Sequence, residues 1–238
     1  MSTDTLADFD AILFDCDGTL VDSEEPGMDV LHEVAQAVGV PLTREVAHAA
    51  FRGLSMEGCI RYITRRMPAQ ATPTLNAWRA AAPGTEVSEL LTQRVRDQQA
   101  IRFHSHLQTI PGAPELLARL RLPVCVATNG PRSKAELTLT LTGLLPHFID
   151  ERSDRLFCAY EVGYFKPDPG LFLHAARALG ARPERCAVVE DSLPGALAGL
   201  AAGMRVFVIG GHEPWPAEVA DRVRTIADLH ELNALLHG

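Results

Sequence analysis

Asp10–Ser23 reads DAILFDCDGTLVDS, and this stretch decides the fold. Its first five residues, DAILF, are short and apolar and run straight into an acidic, glycine-containing segment. They predict a buried strand that ends in a polar loop. From Ser23 to about His104 the pattern changes. Apolar residues recur at helical spacing, as in Val30, Leu31, Val34, Ala35 and Val38, and Gly39 follows as a helix stop. Further helices are expected over Arg44–Phe51, Met56–Arg66, Leu75–Ala82 and Val87–Phe103, with no strand among them. After Pro111-Gly112 strands and helices alternate again. Strands are expected at Val124–Ala127, Leu156–Cys158, Ala187–Val189 and Arg205–Ile209. Helices are expected at Pro114–Leu120, Ser133–Leu141, Pro169–Leu179, Leu193–Ala202 and Leu229–Leu236. Such alternation implies an α/β class fold with a Rossmann-like parallel sheet. Right-handed crossovers then gather the strand C-termini on one edge, where ligands bind. The expected organisation is one α/β domain, residues 1–22 and 105–238, interrupted by an all-helical insert, 23–104.

The bulk properties agree with a folded protein of this kind. The chain has 238 residues, 47% hydrophobic and 22% charged, enough apolar content for a packed core and against general disorder. Its net charge of −8 disfavours a dedicated nucleic-acid binder. No apolar run approaches the ~20 residues that span a bilayer. The start, MSTDTLADFD, lacks the basic and apolar segments of a signal peptide. Five cysteines, an odd number with no CxxC spacing, read as reduced thiols, so the expected location is cytoplasmic. A monomer is the default expectation. Of the 22 basic residues, only Lys134 and Lys166 are lysines, a bias that makes each of them more informative.

Four constellations carry chemistry. Asp15 and Asp17 lie two apart at the end of the first strand, so both can reach a site beyond the sheet edge. One can attack an electrophile while the other moves a proton. Gly18 permits a tight turn and close backbone approach. The competing reading is a surface Asp-Gly turn. Glu190 and Asp191 end a second apolar strand and are oxygen ligands suited to a hard cation such as Mg²⁺, while Ser192 can cap the next helix. Lys166 stands in the stiff segment FKPDP, a point charge suited to a phosphate or an aspartate. An exposed loop lysine is the alternative. Thr128 and Asn129 follow a third strand, where a hydroxyl and backbone N–H groups can hold phosphate oxygens. An ordinary turn is the alternative there.

Taken together and in order, DCDGTLVDS, ATNG, FKPDP and VVEDS resemble the haloacid-dehalogenase-like hydrolases over nearly the whole chain. The insert resembles the helical cap of the β-phosphoglucomutase-like subgroup. Within that group, PVCVATNGP, KPDPGLFLHAARALG and VVEDSLPGALAGLAAGM look like the bacterial 6-phosphogluconate phosphatases. The resemblance implies a phosphatase of a small phosphorylated metabolite, a sugar or sugar-acid phosphate, with 6-phosphogluconate the best single candidate. It implies Asp15 as the nucleophile that becomes an aspartyl-phosphate, and Asp17 as the general acid and then base. It implies Mg²⁺ held by Asp15, the Asp17 carbonyl, Glu190 and Asp191. Thr128 and the Asn129 backbone would hold the phosphoryl group, and Lys166 would offset its charge. Phosphoryl transfer needs alignment and charge neutralisation above all, which these residues suit.

Neighbouring activities are weighed by residue. A dehalogenase does not need Asp17. A phosphonatase needs a cap lysine, and none stands between Met1 and Arg132. A sugar phosphomutase is the serious rival. Its cap supplies a His and a basic residue where this chain has Gly27 and Met56, which favours a plain phosphatase. A non-catalytic phosphometabolite-binding protein need not keep both Asp15 and Asp17. In the cap turn Arg52-Gly53-Leu54-Ser55, Arg52 is a candidate for a substrate carboxylate or hydroxyl, with a solvated arginine the even alternative. Cys16 should point away from its acidic neighbours and is assigned no role. Segments near Asp22–Pro26 and His104–Pro111 are expected to act as hinges for cap closure.

Overall fold

The computed structural model describes residues 5–52, 54–210 and 215–237. It divides into two compact units, Met1–Asp22 with Gln108–Gly238, and Ser23–Leu107.

Along the chain, strand β1 (Ala11–Phe14) leads through the acidic loop to β2 (Val21–Asp22). The second unit follows as α1 (Glu24–Ala37), α2 (Arg44–Phe51), α3 (Met56–Thr64), α4 (Pro73–Ala81) and α5 (Val87–His106). The first unit resumes at β3 (Gln108–Thr109), α6 (Ala113–Arg119), β4 (Val124–Thr128) and α7 (Arg132–Leu141). A small antiparallel pair, β5 (Ile149–Asp150) and β6 (Ser153–Asp154), precedes β7 (Leu156–Cys158), α8 (Ala159–Val162) and α9 (Gly170–Ala178). The chain continues as β8 (Cys186–Glu190), α10 (Leu193–Ala201), β9 (Arg205–Ile209), α11 (Ala217–Ala220), β10 (Arg224–Ile226) and α12 (Leu229–His237).

Six strands form one parallel sheet in the order β10-β9-β8-β1-β4-β7. This is the α/β Rossmann-like architecture. β1, β4 and β8 are buried at every residue, as strands covered by helices on both faces must be. That explains why AILF, VCVAT and CAVVE read as continuous apolar runs with no alternation. From β1 the chain builds outward through β4 and β7 on one side. It then returns to β8 and builds through β9 and β10 on the other. The β1/β8 gap is therefore the topological switch point, where loops leave in opposite directions and a crevice opens at the strand C-termini. Register fixes what lines it. Phe14 pairs with both Val189 and Val126, so Asp15, Glu190 and the end of β4 stand on the same edge.

The second unit is helical throughout its described residues and has its own core, with Val30, Leu31 and Val34 of α1 buried alongside Leu90, Leu91 and Val95 of α5. Hydroxyls start three of its helices. Thr43, Ser55 and Thr72 each accept an N–H from three residues on, Val46, Gly58 and Leu75 respectively, satisfying a helix-end donor.

The structure departs from the sequence expectations in small ways. α4 begins at Pro73 rather than Leu75, because Thr72 caps it and Pro73 suits the first helical position. α5 runs on through the polar His104-Ser105-His106. β10 was not expected. Arg-Thr-Ile offers too short an apolar signal, and the strand exists by pairing with β9 at the sheet edge. β2 and β3 pair antiparallel, Val21 opposite Thr109 and Asp22 opposite Gln108, tying together the segments that bracket the helical unit. No helix among the described residues is long and apolar enough to cross a membrane.

Candidate active site

Asp15 leaves β1 with its N–H donated to the Val189 carbonyl at 2.9 Å, which ties the loop onto β8. Its carboxylate is buried and meets the Lys166 ammonium at 2.5 Å. The same ammonium reaches Glu190 Oε1 at 2.6 Å. Glu190 is fully buried, and its other oxygen, Oε2, accepts from the Asp191 and Ser192 amides and from Ser192 Oγ at 2.8 Å. Both Glu190 oxygens thus have donors, which is what a buried carboxylate requires. Ser192 also caps α10 by accepting the Gly195 N–H. A side chain at Gly195 would put a Cβ 1.9 Å from the Glu190 carboxylate, so this helix can start here only on glycine. Sequence reading passed over Gly195, since a glycine in a first helical turn carries no distinctive signal.

Electrostatics follow from burial. Loss of solvation pushes the Asp15 carboxyl up to about 7 against the pull of Lys166, with the Glu190 and Asp17 charges adding to the rise. Burial alone would lower the Lys166 ammonium, but the Asp15 and Glu190 carboxylates outweigh it and hold the group charged.

Asp15, Glu190 and Asp191 each offer an oxygen within 4.8 Å of the others. Gly18 lies against this cluster at φ +76°. A Cβ there would fall 2.1 Å from Asp191 Oδ2, so glycine serves both the turn and the close approach. The Lys166 ammonium contacts two of these three carboxylates, Asp15 and Glu190. An all-oxygen donor set of this kind fits a hard divalent cation.

Asp17 points to a partner the sequence reading did not assign. Its Oδ1 lies 2.9 Å from Lys134 Nζ, in the first turn of α7. The rarity of lysine was the signal that could have found this pair. Thr128 is buried at the end of β4 and its Oγ1 accepts the Gly130 N–H at 2.9 Å. The Asn129 side chain does a job not foreseen from the sequence. Its Oδ1 accepts the Lys166 N–H at 2.9 Å and its Nδ2 donates to the Lys166 carbonyl at 3.2 Å. Asn129 therefore clamps the backbone that carries Lys166. Cys16 turns away, 3.7 Å from Thr138 Oγ1 on α7, and burial together with the Asp17 and Asp15 charges raises its thiol well above the ordinary range. Such a thiol is not a nucleophile near neutral pH. In the helical unit Arg52 is half-exposed and 3.8 Å from Glu25, and Gly53 of its turn lies outside the described residues.

The assembled edge brings together a buried carboxylate paired with an ammonium, a second carboxylate in contact with Lys134, and an acidic cluster whose donors suit a cation. Comparison with known proteins agrees with this chemistry. Residues 9–203 match the haloacid dehalogenase-like hydrolase family. The chain is 32% identical over 227 residues to a 6-phosphogluconate phosphatase of Escherichia coli K12, covering 95% of this chain and 94% of that protein. A haloacid-dehalogenase family hydrolase from Deinococcus radiodurans, solved with phosphate and sodium bound, superposes with a TM-score of 0.71 at 29% identity, covering 97% and 98% of the two chains. A putative β-phosphoglucomutase from Thermotoga maritima shares the fold, with a TM-score of 0.72 at 23% identity over 95% and 98% of the chains.

Cation binding should be measurable as stability. A ligand at 100 times its Kd adds about 2.7 kcal/mol, and about 2–4 °C of Tm accompany each kcal/mol at this size. Mg²⁺ should therefore raise the melting temperature by about 5–10 °C, EDTA should reverse it, and Asp191→Asn should abolish it. Below about pH 7 the raised Asp15 carboxyl holds a proton that the cation must displace. The shift should accordingly be larger at pH 8 than at pH 6. A melting temperature indifferent to Mg²⁺ at both pH values would contradict the cation site.

Proposed function

The chain belongs to the haloacid dehalogenase-like hydrolases and is a phosphoric monoester hydrolase, and from this membership we propose that it hydrolyses a sugar or sugar-acid phosphate, with 6-phosphogluconate the best single candidate. The observation that carries the mechanism is the buried trio of Asp15, Lys166 and Glu190, with Asp191 alongside. A buried nucleophile beside a fixed ammonium is arranged for phosphoryl transfer.

In the proposed cycle a carboxylate oxygen of Asp15 attacks phosphorus, and the bond to the sugar oxygen breaks. Asp17 gives that oxygen a proton as it leaves. The aspartyl-phosphate is then attacked at phosphorus by water, whose proton returns to Asp17, and inorganic phosphate departs. Thr128 and the Asn129 backbone hold the phosphoryl oxygens, and Lys166 offsets their charge. Asp15, the Asp17 carbonyl, Glu190 and Asp191 would hold Mg²⁺, which would supply further charge neutralisation. Arg52 is the proposed reader of a substrate carboxylate, for which a guanidinium is geometrically suited. The 6-phosphogluconate phosphatase relative supports the sugar-acid class.

Phosphate release over a panel of phosphorylated metabolites, with Mg²⁺ and with EDTA, tests the reading. The expected result is Mg²⁺-dependent, stoichiometric release favouring 6-phosphogluconate or a related sugar-acid ester, lost to background in Asp15→Asn. Isomer interconversion without net release would instead identify a mutase, and ligand binding without turnover a binding protein.

Recognition has its own test. Arg52→Ala should raise KM for 6-phosphogluconate several-fold more than for 4-nitrophenyl phosphate, which lacks the carboxylate. Equal effects on both would remove Arg52 from recognition.

A further inference from the structure

Gly130 follows Thr128 and Asn129 in the loop after β4. Its φ lies outside the left-handed region, so that angle does not call for glycine. Glycine there also costs conformational entropy on folding. Close packing does not explain it either. A Cβ at Gly170 would run into the Tyr164 ring at 2.3 Å, and one at Gly199 would stand 2.8 Å from Val206 Cγ2. A Cβ at Gly130 would meet nothing of that kind.

Among the described residues, and apart from its chain neighbours, that Cβ would have two atoms within 4 Å: Thr128 Oγ1 at 3.3 Å and Asp17 Oδ2 at 3.6 Å. The first contact is slightly tight and the second is ordinary. Those atoms belong to the two ends of the proposed reaction. Thr128 is assigned to the phosphoryl oxygens, and Asp17 to the oxygen that leaves. A point in contact with both stands beside the phosphorus–oxygen bond that breaks. The space that glycine leaves there borders the first atoms of the departing alcohol.

We propose that Gly130 is a specificity-determining position, whose missing side chain leaves room beside the breaking bond for bulk carried close to the ester oxygen. This inference rests on the phosphatase reading above and deepens it. The substrate class it admits includes phosphate esters of crowded alcohols, branched or ring-borne at the phosphorylated carbon, as well as unhindered ones. A methyl group at Gly130 would take up that room. It would act against crowded esters and spare those with nothing beside the ester oxygen. Binding of the phosphoryl group itself belongs to other residues and should change little.

A pair of isomers separates this role from a general one. 2-Nitrophenyl and 4-nitrophenyl phosphate carry leaving groups of nearly equal acidity, and only the first has bulk next to the ester oxygen. The wild type should release phosphate from both. In Gly130→Ala, kcat/KM for the 2-nitrophenyl ester should fall at least about tenfold more than for the 4-nitrophenyl ester, with inhibition by inorganic phosphate changed by less than about twofold. The melting temperature should stay level or rise, because alanine restricts the unfolded chain. Equal losses on the two isomers, no loss on either, or a loss of phosphate inhibition as large as the loss on the esters would overturn the role of Gly130 while leaving the phosphatase reading intact. So would a Gly130→Ala chain that does not fold, or a wild type that cleaves sugar phosphates but not 2-nitrophenyl phosphate. A wild type inactive on every ester would instead overturn the phosphatase reading, and this inference with it.

Discussion

The ammonium of Lys166, set between the carboxylates of Asp15 and Glu190, is the interaction on which the rest of the site depends. Burying two carboxylates together is costly unless a cation lies between them and the remaining oxygens find donors. Here the ammonium meets one oxygen of each, and the start of α10 supplies donors to the other Glu190 oxygen. Neighbouring features follow from holding that arrangement. Asn129 grips the Lys166 backbone on both sides, Ser192 serves Glu190 and its own helix at once, and Gly195 leaves room for the carboxylate. Removing one partner of such a set leaves an uncompensated buried charge, which is more damaging than losing the whole set.

The sheet delivers these groups without special local structure. Parallel pairing of β1 with β8 and β4 brings three strand ends to one edge, and the reversal of strand order between β1 and β8 opens the crevice there. Sequence-distant residues meet because each sits just past a strand end. Asp15 and Lys166 are 151 positions apart in the chain yet in direct contact. That arrangement explains why loops with little apolar content can still hold a buried charge cluster, since the strands beneath them are rigid and fully covered.

Much of this was legible in the residues. The all-apolar runs of β1, β4 and β8 announced buried parallel strands, and the acidic pairs after β1 and β8 marked the strand-end edge as the candidate site. What escaped was of two kinds. β10 escaped because three residues carry no period, so only its neighbour β9 makes it a strand. The Lys134–Asp17 pair and the Asn129 clamp escaped because they are contacts between segments far apart in sequence, fixed by where α7 starts and how the Lys166 loop runs. Residue type suggested that the two lysines mattered, but only the folded chain shows which acid each one faces.

The proposed cycle requires a carboxylate oxygen of Asp15 to take the phosphoryl group. The most direct measurement is acid quench of Asp17→Asn during turnover of 4-nitrophenyl phosphate, followed by peptide mass spectrometry. That substrate forms the intermediate without help from Asp17, while the intermediate's hydrolysis loses its base. The account predicts one phosphoryl group on Asp15, removed by hydroxylamine as expected of an acyl phosphate. Steady release of 4-nitrophenol with Asp15 unmodified, or a phosphoryl group on a different residue, would contradict it.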